Sequence, residues 1–159
     1  GFPEVRWAAS VLRDALDAMN MPSFLMTTGS RGLHVVVPLD RSAHFDATRE
    51  FARRLAEELA ARHPERMTVE QRKKARKGRV FLDYLRNAYG QTAIAPYSLR
   101  TLPGAPVAAP LEWDELDERL RPDRWTLANV FRRLGQRDDP FRDIRRHGVA
   151  IDTERLSQL

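Results

Sequence analysis

Residues 78–100 read GRVFLDYLRNAYGQTAIAPYSLR. A short apolar run at 80–85 carries one acid, Asp83, in its middle. The run predicts a strand. Alternation puts Phe81, Asp83 and Leu85 on one face and Val80, Leu82 and Tyr84 on the other. A carboxylate among large apolar side chains is costly unless a cation pairs with it. Six cations, Arg72, Lys73, Lys74, Arg76, Lys77 and Arg79, stand just upstream, and Arg86 and Arg100 follow. An acid set among so much positive charge points to a metal ion and a phosphate. A hard divalent ion such as Mg or Mn suits its oxygens, but one carboxylate rarely holds such an ion alone.

Outward from this strand, the periodicities alternate between helix and sheet. Val5, Ala8, Ala9, Leu12, Leu16 and Met19 recur at helical spacing, predicting a helix over 3–19 with Pro3 in its first turn. Residues 23–28 and 33–39 read as two strands joined by a hairpin-length loop, Gly29-Ser30-Arg31-Gly32. Phe51, Leu55 and Leu59 form the stripe of a second helix over 47–62, with Asp46 as its N-cap. The polar, basic stretch 68–79 has room for one or two helical turns. Residues 92–97 give a weaker strand signal. From Thr101 the texture changes, and Pro103, Pro106 and Pro110 predict a linker with little regular structure. Short helices follow at 111–120, 126–134 and 140–147. Trp113 and Trp125 are expected to anchor this tail, joined by Phe131, Leu134 and Phe141. The pattern is α+β: helices packed on a mainly antiparallel sheet, followed by a tail of short helices.

Composition sets the partner class. The chain has 159 residues, a net charge of +5 and a pI near 10.2. That balance favours an anionic partner, nucleic acid first among them. There are no cysteines, which excludes disulfides and thiolate metal sites. No apolar run is long enough for a membrane helix and no signal peptide is visible, so a cytoplasmic, nucleoid-associated protein is expected. The sequence opens on Gly1 rather than Met, the expected mark of a fragment or a processed chain.

Two further groups of residues can carry chemistry. The backbone N–H groups of the loop 29–32 can cradle phosphate oxygens. Thr28 offers a hydroxyl beside it, Arg31 a cation, and His34 a ring at the start of the next strand. The same pattern is also that of an ordinary glycine-rich hairpin. The basic run 72–79 can neutralise several phosphates, or be a solvated surface. Tyr84, Tyr89 and Tyr97 are available for base stacking or for the core.

Taken together, these strings resemble the polymerase domain of bacterial DNA ligase D and its stand-alone homologues, within the archaeo-eukaryotic primase superfamily. The resemblance runs through residues 27–34 (TTGSRGLH), 79–87 (RVFLDYLRN), 89–93 (YGQTA), 95–100 (APYSLR) and 103–107 (PGAPV), and more weakly through 110–113 (PLEW). It implies a DNA-repair polymerase that adds nucleotides, ribonucleotides by preference, to DNA ends in non-homologous end joining, using Mn or Mg. It implies that Asp83 is the third metal-binding carboxylate and that Thr28 and His34 contact the incoming triphosphate. Arg86 and Arg100 become phosphate-contacting arginines, and Arg31 takes a phosphate-side role. Its partners are DNA ends, nucleoside triphosphates including ATP, an end-binding Ku-type protein and a ligase module. It divides the chain into part of a catalytic core, 1–100, and a linker and tail of the same domain, 101–159. One departure stands out. The family carries its first two metal carboxylates as Asp-x-Asp, and this sequence contains no Asp-x-Asp. The chain therefore resembles the C-terminal half of the domain, inactive by itself. The alternative is a non-catalytic nucleic-acid-binding remnant.

Overall fold

A computed structural model describes residues 1–158. The first helix, α1, spans Phe2–Ala18, and the second, α2, Phe45–Arg62. Pro3 occupies the first turn of α1, where its missing N–H has no helical partner to lose. His44, not Asp46, is the N-cap residue of α2. Asp46 lies inside the first turn, where an acid interacts favourably with the helix dipole.

The main sheet has three antiparallel strands. The central strand, β1 (Phe24–Thr27), pairs on one side with β2 (Leu33–Val36), placing Thr27 opposite Leu33 and Met26 opposite His34. On its other side it meets the short strand Pro110–Leu111, with Leu25 opposite Leu111. Sequence periodicity assigns this third strand to a linker and helix. Its prolines obscure it, since proline cannot donate to a ladder. Yet Val107, Ala108 and Ala109 are fully buried, because small side chains let this segment lie flat against β1.

A second, two-stranded sheet pairs β3 (Met67–Thr68) with β4 (Val80–Phe81) in parallel. The strand predicted over 80–85 thus ends after Phe81, and residues 85–87 form a 3₁₀ turn. Residues 92–96 have no regular structure. Helix 111–120 is replaced by a 3₁₀ turn at Trp113–Glu115. The tail helix α3 runs Val130–Gln136, and 140–147 yields only a 3₁₀ turn, Ile144–His147. No described helix is long and apolar enough to cross a membrane.

Helix α1 sits between two apolar clusters. Ala8, Ala15, Leu16 and Met19 pack with Phe51, Leu55, Leu59 of α2 and Met67. Ala9, one residue on from Ala8, packs with Leu25, Leu111 and Leu120, and Trp113 and Trp125 border this second cluster. The two tryptophans anchor the tail as expected: the Trp113 indole N–H donates to the Ser23 carbonyl at 2.8 Å. Phe141 joins them, packing edge-on to Phe24. Phe131 and Leu134 do not; both are exposed.

Candidate nucleotide and nucleic-acid site

The site begins with the end of β1. Thr27 is fully buried, and its hydroxyl accepts the Ala109 N–H at 3.1 Å. Segment 106–109 is thereby fixed against β1, and it holds residues 97–100 in turn. The Tyr97 N–H donates to Ala108, the Ala108 N–H to Ser98, and the Arg100 N–H to Pro106. This ladder delivers the half-buried Arg100 side chain to the loop after β1, where its Nε donates to the Thr28 carbonyl at 2.9 Å. Two sequence motifs about seventy positions apart are joined by one hydrogen bond.

The glycine loop is held by Thr28 itself. The Thr28 hydroxyl donates to the Gly32 carbonyl at 3.0 Å and accepts the Gly32 N–H at 3.2 Å. Its first task is to close the turn. Gly29 has φ +66°, and a Cβ there meets the Val107 carbonyl carbon at 3.1 Å and Arg100 Cγ at 3.2 Å. Gly29→Ala is therefore expected to cost about 1–2 kcal/mol for the left-handed backbone alone, and more because two of the three atoms nearest that Cβ, from Val107 and Ala108, are backbone. Thermal unfolding measures the loss, and it should exceed that of Gly104→Ala, where φ is also positive (+81°) but the space is open.

His34 faces this arrangement from β2. Burial is the main influence on its imidazole, lowering its pKa below the ordinary histidine value; Arg100 lowers it further and Asp83 partly opposes the shift. The ring is thus held neutral near pH 7, with an N–H to donate. It also reports the neighbourhood: Arg100 and Asp83 both act on His34.

Asp83 does not lie inside an apolar strand face. It is exposed, in the turn just past β4, and one carboxylate oxygen accepts the Leu85 N–H at 3.0 Å. The other lies 3.7 Å from Arg86 Nε. The last pairing bond to β3 is the Leu82 N–H on the Thr68 carbonyl, and the Asp83 carboxylate then bonds two residues ahead to the first residue of the 3₁₀ turn, a local bond typical of aspartate. Among the described residues, no group of three or more His, Asp or Glu can hold a metal ion. Asp83 fits as one oxygen ligand of a hard ion, and the residues here do not complete the shell. Arg31 is exposed on the loop.

The basic run divides by geometry. Arg76 donates to the carbonyls of Glu70 and Gln71 and stacks over Phe81 at 3.9 Å. Arg79 donates to Pro64, Ala75 and Arg76 carbonyls. These two fold the loop. Arg72, Lys73, Lys74 and Lys77 are exposed, a division that composition could not reveal. An open groove lies beside them, lined by Thr68, Val69, Glu70, Gln71, Arg72 and Arg79.

Sequence reasoning missed the holders of the site. Tyr97 has φ +62°, and its hydroxyl donates to Asp139 at 2.6 Å, tying the Arg100 segment to the tail. A tyrosine in the left-handed region is uncommon, and nothing in the string APYSLR signals it.

Comparison with known proteins identifies a family. The family described as LigD, primase-polymerase domain, matches residues 1–141. The multifunctional non-homologous end joining protein LigD of Pseudomonas aeruginosa is 37% identical over 130 residues, 80% of this chain and 16% of that protein. The bifunctional non-homologous end joining protein LigD of Bacillus subtilis is 36% identical over 141 residues, 88% of this chain and 23% of that protein. The solved polymerase domain of Mycobacterium tuberculosis Ligase D, in complex with DNA, superposes with a TM-score of 0.84 at 33% identity, covering 91% of this chain and 50% of that one. The chain thus spans less than a quarter of the two curated relatives and half of the solved domain.

Proposed function

We propose, for a chain that belongs to the LigD primase-polymerase family, that it forms the triphosphate-binding side of a DNA-repair nucleotidyltransferase acting in non-homologous end joining. The observation that carries this reading is the convergence of Thr28, His34, Arg100 and Asp83 from four separate segments. In the proposed reaction a DNA 3′ hydroxyl attacks the α-phosphate of a nucleoside triphosphate, and pyrophosphate leaves. Arg100 and Arg86 place positive charge beside the phosphates, Arg31 adds to it from the loop, and neutral His34 donates its N–H to a phosphate oxygen. Such preorganised donors stabilise charge as it builds on the transferring group. Asp83 would hold Mn or Mg together with two further carboxylates that this sequence does not contain. When bound, such ions would supply Lewis-acid stabilisation of the charge that builds on the reacting phosphate. The exposed Arg72, Lys73, Lys74 and Lys77 meet the DNA backbone. Preference for ribonucleotides, and partnership with a Ku-type protein and a ligase module, belong to the same proposal.

A second reading is a nucleic-acid-binding remnant without catalysis. The lack of a three-ligand metal cluster among the described residues favours it. The readings part on nucleotide affinity. His34→Ala should weaken ATP binding roughly ten- to hundredfold, the worth of one hydrogen bond to a charged group, and leave duplex DNA affinity unchanged. Calorimetric titration with each ligand measures both. Undetectable ATP binding by the wild type, with DNA binding intact, selects the remnant.

A further inference from the structure

Two aromatic rings stand exposed beside the site with no role in the reading above. Tyr89 is 84% exposed and Phe45 58%. Their ring centroids lie 5.7 Å apart at 73°, an edge-to-face pair. They come from different elements: Phe45 is the first residue of α2, and Tyr89 follows the 3₁₀ turn Leu85–Asn87, which packs on α2.

The position of Tyr89 is built, not frayed. The Gln91 N–H donates to the Ala88 carbonyl at 3.1 Å, closing a β-turn over Tyr89 and Gly90. Gly90 supplies the positive φ, +73°, that the third position of a type II turn requires. Arg86, itself exposed, bonds to the same loop. Its Nη1 donates to Gln91 Oε1 at 3.3 Å, while its Nε approaches Asp83 at 3.7 Å. One guanidinium therefore links the aromatic turn to the candidate metal carboxylate.

Size and charge select the occupant. An aromatic side chain buries at most about 150–250 Å², so two rings fall short of the roughly 800 Å² per partner of a stable protein interface. The area suits one flat base. Arg86 lies in the same loop, and exposed Arg49 stands one helical turn beyond Phe45. Two acids lie near Phe45 on α2: Asp46, the next residue, and Glu50, which is paired with Arg53 at 2.6 Å. Aromatic rings beside cations are how single strands are held without sequence preference.

We propose that Phe45 and Tyr89 form a stacking platform for an unpaired base of single-stranded DNA next to Asp83. This rests on the DNA-end reading above. The test is fluorescence anisotropy with the 159-residue chain and three labelled probes: a single strand of about twelve nucleotides, the same strand with abasic sites, and a blunt duplex. Tyr89→Ala should weaken single-strand binding roughly five- to hundredfold, the worth of one stacked base. Tyr89→Trp should restore it. Affinity for the abasic strand and the duplex should not change. Tyr89 is so exposed that the variant keeps the fold, and circular dichroism checks this. Unchanged single-strand affinity in Tyr89→Ala overturns the platform, as does an equal loss on the abasic strand. Self-association of the wild type that Tyr89→Ala abolishes also overturns it, making the rings a protein contact. Wild type that binds duplex, with no Tyr89 effect, fails the platform alone; wild type that binds no DNA fails the DNA reading with it.

Discussion

Asp83→Ala, in a polymerase domain where this chain works beside an Asp-x-Asp pair, abolishes Mn-dependent nucleotide addition and leaves DNA binding in place. The expected loss is about a thousandfold or more, since a catalytic ion supplies several kcal/mol of charge stabilisation and each 1.36 kcal/mol is tenfold. The structure gives the reason for separating the two effects. Asp83 is exposed and bonds only locally, to the Leu85 N–H and near Arg86. Removing it frees one turn and opens no cavity, so the fold survives. Primer extension with Mn, read beside a gel shift, measures both quantities. Wild-type addition rates from the variant would refute the metal role.

Glu115→Ala costs about 3–5 kcal/mol of stability, the usual result of stripping one partner from a buried ion pair. Arg133 is 5% exposed. Its two terminal nitrogens meet the Glu115 oxygens at 2.6 and 2.7 Å, and one also donates to the Pro110 carbonyl at 2.9 Å. Its guanidinium lies over Trp125 at 4.5 Å. With Glu115 gone, this charge is left buried with one neutral acceptor. The loss is a large share of a domain's total stability, and urea unfolding followed by tryptophan fluorescence measures it. Acid should mimic the substitution. Burial pushes the Glu115 carboxyl up, but hydrogen bonds from Arg133 and the Glu112 amide outweigh it, and the net pKa is lowered below its ordinary value of 4.5. A lowered folded pKa means the pair contributes fully above pH 4.5 and is lost as pH falls through the folded value. Glu115→Gln, which keeps the shape, should flatten this acid limb.

The helices and the β1–β2 hairpin were legible because their signals are local. Apolar spacing marks α1 and α2, and Gly29 marks the turn. The third strand was not legible: what makes Pro110 and Leu111 a strand is the flat, small-residue approach of 107–109 to β1, which is a tertiary fact. The strand end at Phe81 was hidden for a related reason. Apolar alternation continues to Leu85, but the chain turns at Leu85–Asn87 and the Asp83 carboxylate accepts the Leu85 N–H rather than facing a strand neighbour. For the site, the residue types and their order named the candidates. Their roles were finer than type could show: Thr28 closes the loop before it offers anything to a ligand, and Arg76 and Arg79 fold the basic run while their neighbours face solvent.

The central claim is that the surface around His34 receives a nucleoside triphosphate. The chain holds four histidines, His34, His44, His63 and His147, so imidazole NMR resolves the question directly. On titration with ATP and Mg, the His34 resonances should shift in a saturable way while the other three stay still, and Arg100→Ala should weaken the response. A motionless His34, with shifts confined to the other histidines or absent altogether, would contradict the account.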